Sequence, residues 1–304
     1  MTAAARPRIG FVGIGAMGEP MATCLLKAGY AVTVFDNRPA RIREFVAAHG
    51  GSAGASLGEL AKESDIVIMI LPNSAIVTDV LFGEGGMAPS LGAGTVVIDM
   101  TSGIPAATVS LSERLALQGV VLFDAPVSGG VPRAVTGKLT IMAGGNAKDI
   151  DDALPVLEAM GTVIKTGVIG TGHAMKALNN LVSSGGFLIG IEALLIGSRF
   201  GIDPETMVDI LNVSTGMNNS TQKKFKQYVL SRKFDSGFAI GLMVKDLSIA
   251  LGIAHDQDVN APFAGLCRDL WAGASAVLGP QADHTAMALL SEKLAGVEIG
   301  KREA

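Results

Sequence analysis

Two kinds of apolar pattern alternate through the first half of the chain. Short continuous runs at residues 9–12, 31–35, 66–71, 95–99, 120–124, 139–143 and 163–165 suit buried strands. Between them, residues 19–28, 41–48, 75–81, 106–118 and 150–160 carry apolar side chains at helical spacing. Such alternation predicts a largely parallel sheet covered on both faces. From Gly172 onward the strand-type runs stop. Residues 175–200 form a long, nearly uncharged stretch rich in Ala, Gly and Leu, which predicts a helix buried on most faces and ended by Gly201. Shorter helices are predicted over 204–212, 222–230, 243–254, 263–278 and 284–294, separated by Gly, Asp, Asn and Pro signals. The class expected is therefore α/β, with a sheet domain over 1–166 and an all-helical domain over 167–304.

The first run opens directly into Gly13-Ile14-Gly15-Ala16-Met17-Gly18, and the second ends on Asp36, 18 positions beyond Gly18. G-x-G-x-x-G alone is weak; between a strand and a helix, with an acid after the next strand, it is the fingerprint of a Rossmann-type doubly wound sheet that binds a dinucleotide. Gly13 would allow the tight turn, Gly15 close approach to a pyrophosphate, and Gly18 close helix packing. The helix beginning near Met17 would aim its N–H groups at the phosphates. Cofactor contacts are thus expected at Gly13, Gly15, Ala16, Met17, Gly18, Asp36, Asn37 and Arg38. Further contacts are expected where later strands end, at Leu71, Pro72, Asn73 and Thr101, although Asn and Ser or Thr at such turns usually serve as caps. A carboxylate at Asp36 would repel the 2′-phosphate of NADP, which favours NAD; Arg38 could accept that phosphate, so NADP stays open.

Bulk composition narrows the class. At 304 residues with 49% hydrophobic and 17% charged residues, the chain suits one large domain or two ordinary ones. A net charge of −4 gives no general attraction to nucleic acid or anionic membrane. Cys24 and Cys267 lie far apart in apolar contexts, which suits a reducing compartment. No His, Cys or carboxylate group has metal-ligand spacing. The N-terminus lacks the apolar core of a secretory signal, and residues 177–191 are too short and polar to span a bilayer. A soluble cytoplasmic protein is expected, with no metal, nucleic-acid or membrane partner.

Three segments could carry chemistry. In Asp124-Ala125-Pro126-Val127-Ser128-Gly129-Gly130, the Ser128 hydroxyl and consecutive backbone N–H groups could converge on a carboxylate; a plain connecting turn fits the composition equally well. Lys176 and Asn180 sit four apart at the start of the long apolar helix and share one face. A lysine there either snorkels to solvent, pairs with a carboxylate, or lines a polar pocket where it can exchange protons. Lys245 and Asp246 are adjacent in a helical pattern flanked by apolar residues, an interior charge site in outline, although the local pattern alone favours ordinary surface charges. His173 is the histidine near these segments and reads as supporting or structural.

Taken in order, these motifs resemble the β-hydroxyacid dehydrogenase family, which includes 3-hydroxyisobutyrate dehydrogenase and tartronate semialdehyde reductase. The resemblance covers nearly the whole chain: Gly-Phe-Val-Gly-Ile-Gly-Ala-Met-Gly at 10–18, Asp-Ala-Pro-Val-Ser-Gly-Gly at 124–130, Gly-x-x-x-Lys-x-x-Asn-Asn at 172–180 and Lys-Asp-Leu at 245–247. It implies Lys176 as catalytic lysine assisted by Asn180, with Ser128, Gly129 and Gly130 on the substrate carboxylate. It also implies that Lys245 lies near both substrate and nicotinamide, and that the chain is a homodimer or homotetramer. The activity implied is hydride transfer between a small 3-hydroxy carboxylate and NAD. Met217 stands where 3-hydroxyisobutyrate dehydrogenases carry an arginine, which puts 3-hydroxyisobutyrate itself in doubt. The alternatives are an NADPH-dependent reductase of glyoxylate or succinic semialdehyde, an imine reductase, or a dinucleotide sensor without catalysis. Imine reductases usually carry Asp or Tyr in place of Lys176, and a sensor would be expected to lose the lysine or the Ser-Gly-Gly loop.

Overall fold

The structure, a computed structural model, describes residues 6–299. The chain divides into two compact units between Lys176 and Ala177. In the first, strands and helices alternate as β1 (Ile9–Val12), α1 (Gly18–Lys27), β2 (Val32–Phe35), α2 (Pro39–His49), β3 (Ser52–Ala53), α3 (Leu57–Glu63), β4 (Ile66–Met69), α4 (Ser74–Phe82), β5 (Val96–Asp99), α5 (Pro105–Ala116) and β6 (Val121–Asp124). The strands pair in the order β3-β2-β1-β4-β5-β6, all parallel. Side chains of β1 alternate between two apolar layers: Ile9 and Phe11 join the cluster around Phe45, Phe123 and Ile141, whereas Val12 joins Val67, Met69 and Leu122 on the other face. Burial on both faces is why the strands read as continuous apolar runs. Each large side chain so buried contributes about 1.5–3 kcal/mol.

Beyond β6 the sheet departs from the all-parallel pattern. β7 (Val127–Ser128) doubles back after Ala125-Pro126, and α6 (Gly130–Val135) follows. β8 (Leu139–Gly144) then runs antiparallel to both β6 and β7. α7 (Ala147–Glu158) carries the chain over to β9 (Gly161–Gly167), which lies parallel to β8. The two-residue strands β3 and β7 are too short to leave a periodic signal. Helix α3 was not among the helices expected; the Ser56 hydroxyl caps it by accepting the Glu59 N–H at 3.1 Å.

The second unit is helical, as expected. α8 (Thr171–Phe200) is continuous for 30 residues and stops before Gly201, whose φ is +99°. Its full 30 residues, unlike the stretch 177–191 alone, are long and apolar enough to cross a membrane, and half of the most apolar window is buried within the molecule. Phe187, Ile191 and Leu194 on α8 pack in one cluster with Phe225, Leu247, Trp271 and Met287. Gly190 permits this closeness, since a Cβ there would stand 2.5 Å from the Phe225 ring. Helices α9 (Pro204–Asn212), α10 (Asn219–Lys223), α11 (Ile240–Asp256), α12 (Pro262–Leu278) and α13 (Met287–Ala295) complete the unit. The helix expected over 222–230 is instead divided: α10 ends at Lys223, the φ of −128° at the next residue, Lys224, leaves the helical range, and Phe225–Leu230 winds as a π-helix.

That break at Lys224 coincides with a buried polar cluster. The Lys224 ammonium donates to Nε2 of His284, and His284 Nδ1 lies 3.0 Å from the Ser236 hydroxyl and 3.2 Å from the Phe238 carbonyl. Asp283 accepts from the Ser236 hydroxyl at 2.9 Å and from the N–H groups of Gly237 and Thr285. Rings of Phe187, Phe238 and Trp271 enclose the imidazole. Burial first, and the Lys224 charge second, push the His284 pKa down to about 4.

Candidate active site

Strand order reverses between β1 and β4, and the carboxyl ends of these two strands are where a doubly wound sheet binds its ligand. The Gly-rich loop leaves β1 there. Gly13 has a φ of +94°, and a Cβ on it would stand 2.4 Å from the Ile70 carbonyl beyond β4. On Gly18 a Cβ would come within 1.8 Å of the Gly13 carbonyl, so only glycine lets α1 start this close to the strand. Gly15 differs: no heavy atom lies within 4 Å of its Cβ position. That open space, in front of the first N–H groups of α1, fits a pyrophosphate. Glu19, in the first turn, would oppose such an anion. However, its carboxylate is bound by Arg41 at 2.5 Å and by His49 at 3.2 Å. Although burial acts upward, these partners hold the Glu19 carboxyl below the ordinary range. Ala16 is exposed, and Met17 leans onto the adjoining core.

Asp36 directly follows β2 and is buried, at 8% exposed. One oxygen accepts the Ile14 N–H at 3.1 Å, which ties the carboxylate to the Gly-rich loop; the other accepts the backbone N–H and Nε of Arg38 at 3.0 and 3.1 Å. Asn37 and most of the Arg38 side chain remain exposed. Arg38 thus neutralises the carboxylate that would repel a 2′-phosphate. Arg38→Ala is expected to leave the KM for NAD nearly unchanged and to raise that for NADP about tenfold, the worth of one charge-assisted contact. Equal effects on the two cofactors in steady-state kinetics would remove Arg38 from cofactor choice.

The remaining strand ends close the same edge. Leu71 donates its N–H to the Thr101 hydroxyl at 3.0 Å, and Thr101, fully buried, donates its own N–H to Asp99. Pro72 is exposed beside them. The Asn73 side-chain carbonyl caps α4 by accepting the Ile76 N–H at 3.0 Å. So the side chains of Asn73 and Thr101 serve the turns they occupy. After β6 the chain presents Ser128, part exposed, then Gly129 and Gly130 with φ of +131° and +67°. These left-handed positions need glycine and turn the backbone outward. Lys176 is part exposed in the second turn of α8.

In the second unit, Asn180 is buried one turn beyond Lys176 on the same helix. Its amide nitrogen donates to Asp246 at 2.5 Å, while its carbonyl accepts from Asn179 at 3.1 Å. Asp246 is 1% exposed, and the Lys245 ammonium lies 3.4 Å from its other oxygen. The surface-charge reading of Lys245-Asp246 therefore gives way to the interior one. Adjacency in sequence hid this, because α11 turns Asp246 inward and leaves Lys245 at its margin. Asp246 fixes which way the Asn180 amide faces, a role the motif alone did not reveal. Met217 is half exposed, its sulfur 2.9 Å from the Gln222 amide.

The chain matches known proteins along most of its length. Residues 8–170 match the family model for the NAD binding domain of 6-phosphogluconate dehydrogenase. Residues 170–291 match the model described as NAD-binding of NADP-dependent 3-hydroxyisobutyrate dehydrogenase. The 2-(hydroxymethyl)glutarate dehydrogenase of Eubacterium barkeri is 36% identical over 96% of this chain and 97% of its own length. The mitochondrial 3-hydroxyisobutyrate dehydrogenase of Mus musculus is 35% identical over 81% of this chain and 76% of its own. Among solved structures, Mycobacterium tuberculosis 3-hydroxyisobutyrate dehydrogenase with L-serine superposes with a TM-score of 0.86 at 28% identity, covering 94% of this chain and 99% of that one.

Proposed function

The chain belongs to the β-hydroxyacid dehydrogenase family and is an NAD(P)-dependent oxidoreductase, and on that premise we propose that it oxidises acids of the form HOCH2–CH(R)–CO2⁻, reversibly, with NAD favoured. Three of the substrates named among its relatives, 2-(hydroxymethyl)glutarate, 3-hydroxyisobutyrate and serine, share that skeleton and differ in R, whereas a further relative is named for 3-sulfolactaldehyde. One observation carries the reading: the Ser128–Gly130 turn and the start of α8 both attach at the carboxyl end of β6, within the unit that holds the Gly-rich loop. On this reading an anion binder and a proton-transfer group are anchored to one strand.

In oxidation, Lys176 in its neutral form takes the proton of the substrate hydroxyl; in reduction, its ammonium returns a proton to the developing alkoxide. Asn180, its amide oriented by Asp246, steers the lysine or the hydroxyl. Ser128 with the backbone N–H groups of Gly129 and Gly130 holds the carboxylate and fixes the carbinol carbon. The nicotinamide, when bound, supplies the hydride acceptor.

Initial rates with 3-hydroxyisobutyrate, 2-(hydroxymethyl)glutarate, L-serine and 3-hydroxypropionate, each with NAD and NADP, test the reading. Saturable turnover of at least one acid with NAD is expected. Inactivity toward all four, combined with NADPH-dependent reduction of glyoxylate or succinic semialdehyde, would move the chain to the reductase reading.

A further inference from the structure

Asp124 ends β6 with no exposed surface from which to meet a ligand. Its two oxygens instead accept backbone N–H groups on either side of the start of α8, Gly170 at 2.6 Å and His173 at 2.7 Å. The N–H groups at a helix start have no intrahelical partner, and a carboxylate there satisfies two of them while opposing the positive end of the helix. Glycines make the approach possible: a Cβ on Gly172 would stand 2.7 Å from one Asp124 oxygen and 2.2 Å from the Met142 carbonyl, and a Cβ on Gly144 would stand 2.9 Å from the other oxygen. The spacing Gly172-x-x-x-Lys176 thus records a steric need of Asp124.

His173 fastens the same turn a second time. Its buried Nδ1 pairs with the Thr108 hydroxyl of α5 at 2.9 Å, and its Nε2 lies 3.9 Å from Asp99 at the end of β5. Gly103 leaves room for the ring, since a Cβ there would come within 2.9 Å of it. The first turn of α8 is therefore pinned to β6 by Asp124 and to α5 by Thr108. Lys176 is the third residue after His173. A displacement of that turn by about 1 Å would carry the lysine with it, and misplacement on this scale can cost about a hundredfold in rate.

We propose that Asp124 is a positioning residue for Lys176: it fixes the first turn of α8 and, through it, the place of the proton-transfer group relative to the Ser128–Gly130 turn. This rests on the assignment of Lys176 as acid and base. Asp124→Asn keeps size and one acceptor but sets an amide N–H against the other backbone donor. In the full-length protein, Asp124→Asn is expected to lower kcat about ten- to a hundredfold on the best substrate of the acid panel, with the KM for that acid and NADH affinity within about twofold of the unaltered protein. Amide hydrogen exchange should quicken across residues 168–178 and stay unchanged elsewhere. Lys176→Ala, run beside it, separates the two ideas. If Lys176→Ala is inactive while Asp124→Asn turns over normally, the positioning role falls and the lysine assignment stands. If Lys176→Ala keeps normal turnover, the lysine assignment falls and the positioning role falls with it. Should Asp124→Asn fail to fold, Thr108→Val loosens the same turn from its other side, and unchanged exchange over 168–178 together with unchanged kcat would overturn the proposal.

Discussion

Lys176→Ala is expected to lower kcat by about 10²- to 10⁴-fold, the usual worth of a positioned general acid–base group. NADH affinity should stay within about twofold, because the cofactor contacts proposed here involve the Gly-rich loop, Asp36 and the strand ends rather than α8. The KM for the acid should also change little if the lysine acts mainly on the developing charge. Lys176→Arg is not expected to rescue the oxidation, since a guanidinium stays protonated and cannot take a proton from the hydroxyl. Steady-state kinetics with fluorescence titration of NADH provide the check. Turnover in the alanine variant near that of the unaltered enzyme would leave the chain without its proton-transfer group.

The second large effect concerns stability. His284 has an ordinary pKa near 6.5 when the chain is unfolded, and burial with Lys224 beside it holds the folded value to about 4. Between those values the unfolded chain binds a proton that the folded one excludes. Stability from this group is therefore complete above about pH 6.5 and drains away as pH falls through about 4, to a total of about 3 kcal/mol. Asp283, held below the ordinary carboxylate range despite its burial, adds a loss only at still lower pH. Asp124 acts in the opposite sense: burial raises its pKa, so lowering the pH through that value relieves a cost of folding. Because these contributions overlap, the comparison that isolates His284 is between the protein and His284→Asn. Urea midpoints measured from pH 7.5 to 4.5 should decline clearly more steeply in the protein than in the variant. Parallel declines would assign the acid sensitivity to another group.

The sequence disclosed the two-part architecture because its signals were periodic and long: buried parallel strands appear as unbroken apolar runs, and α8 as an uncharged stretch. The Gly-rich loop was legible because Gly13 and Gly18 each answer a separate steric demand, while Gly15 leaves open space between them. What escaped were features decided by partners distant in sequence. Whether Asp246 faces inward depends on Asn180, 66 positions away. That Asp124 serves a helix rather than a ligand depends on Gly170 and His173. The π-helix at Phe225–Leu230 coincides with the reach of Lys224 to a histidine 60 positions further on. Strands β3 and β7, two residues each, exist only because neighbours supply their hydrogen bonds.

Between Lys176 and Asn180 the backbone of α8 is an uninterrupted helix, although the chain divides into its two units just after Lys176. Surface turns elsewhere can gain or lose residues at little cost. Here a single inserted residue would rotate everything after it by about 100° and advance it by about 1.5 Å, taking Asn180 off the face it shares with Lys176. Descendants of this gene are thus free to reshape side chains along α8 but not to change the number of residues between these two. Length polymorphism should vanish over these few codons while persisting in the turns around them.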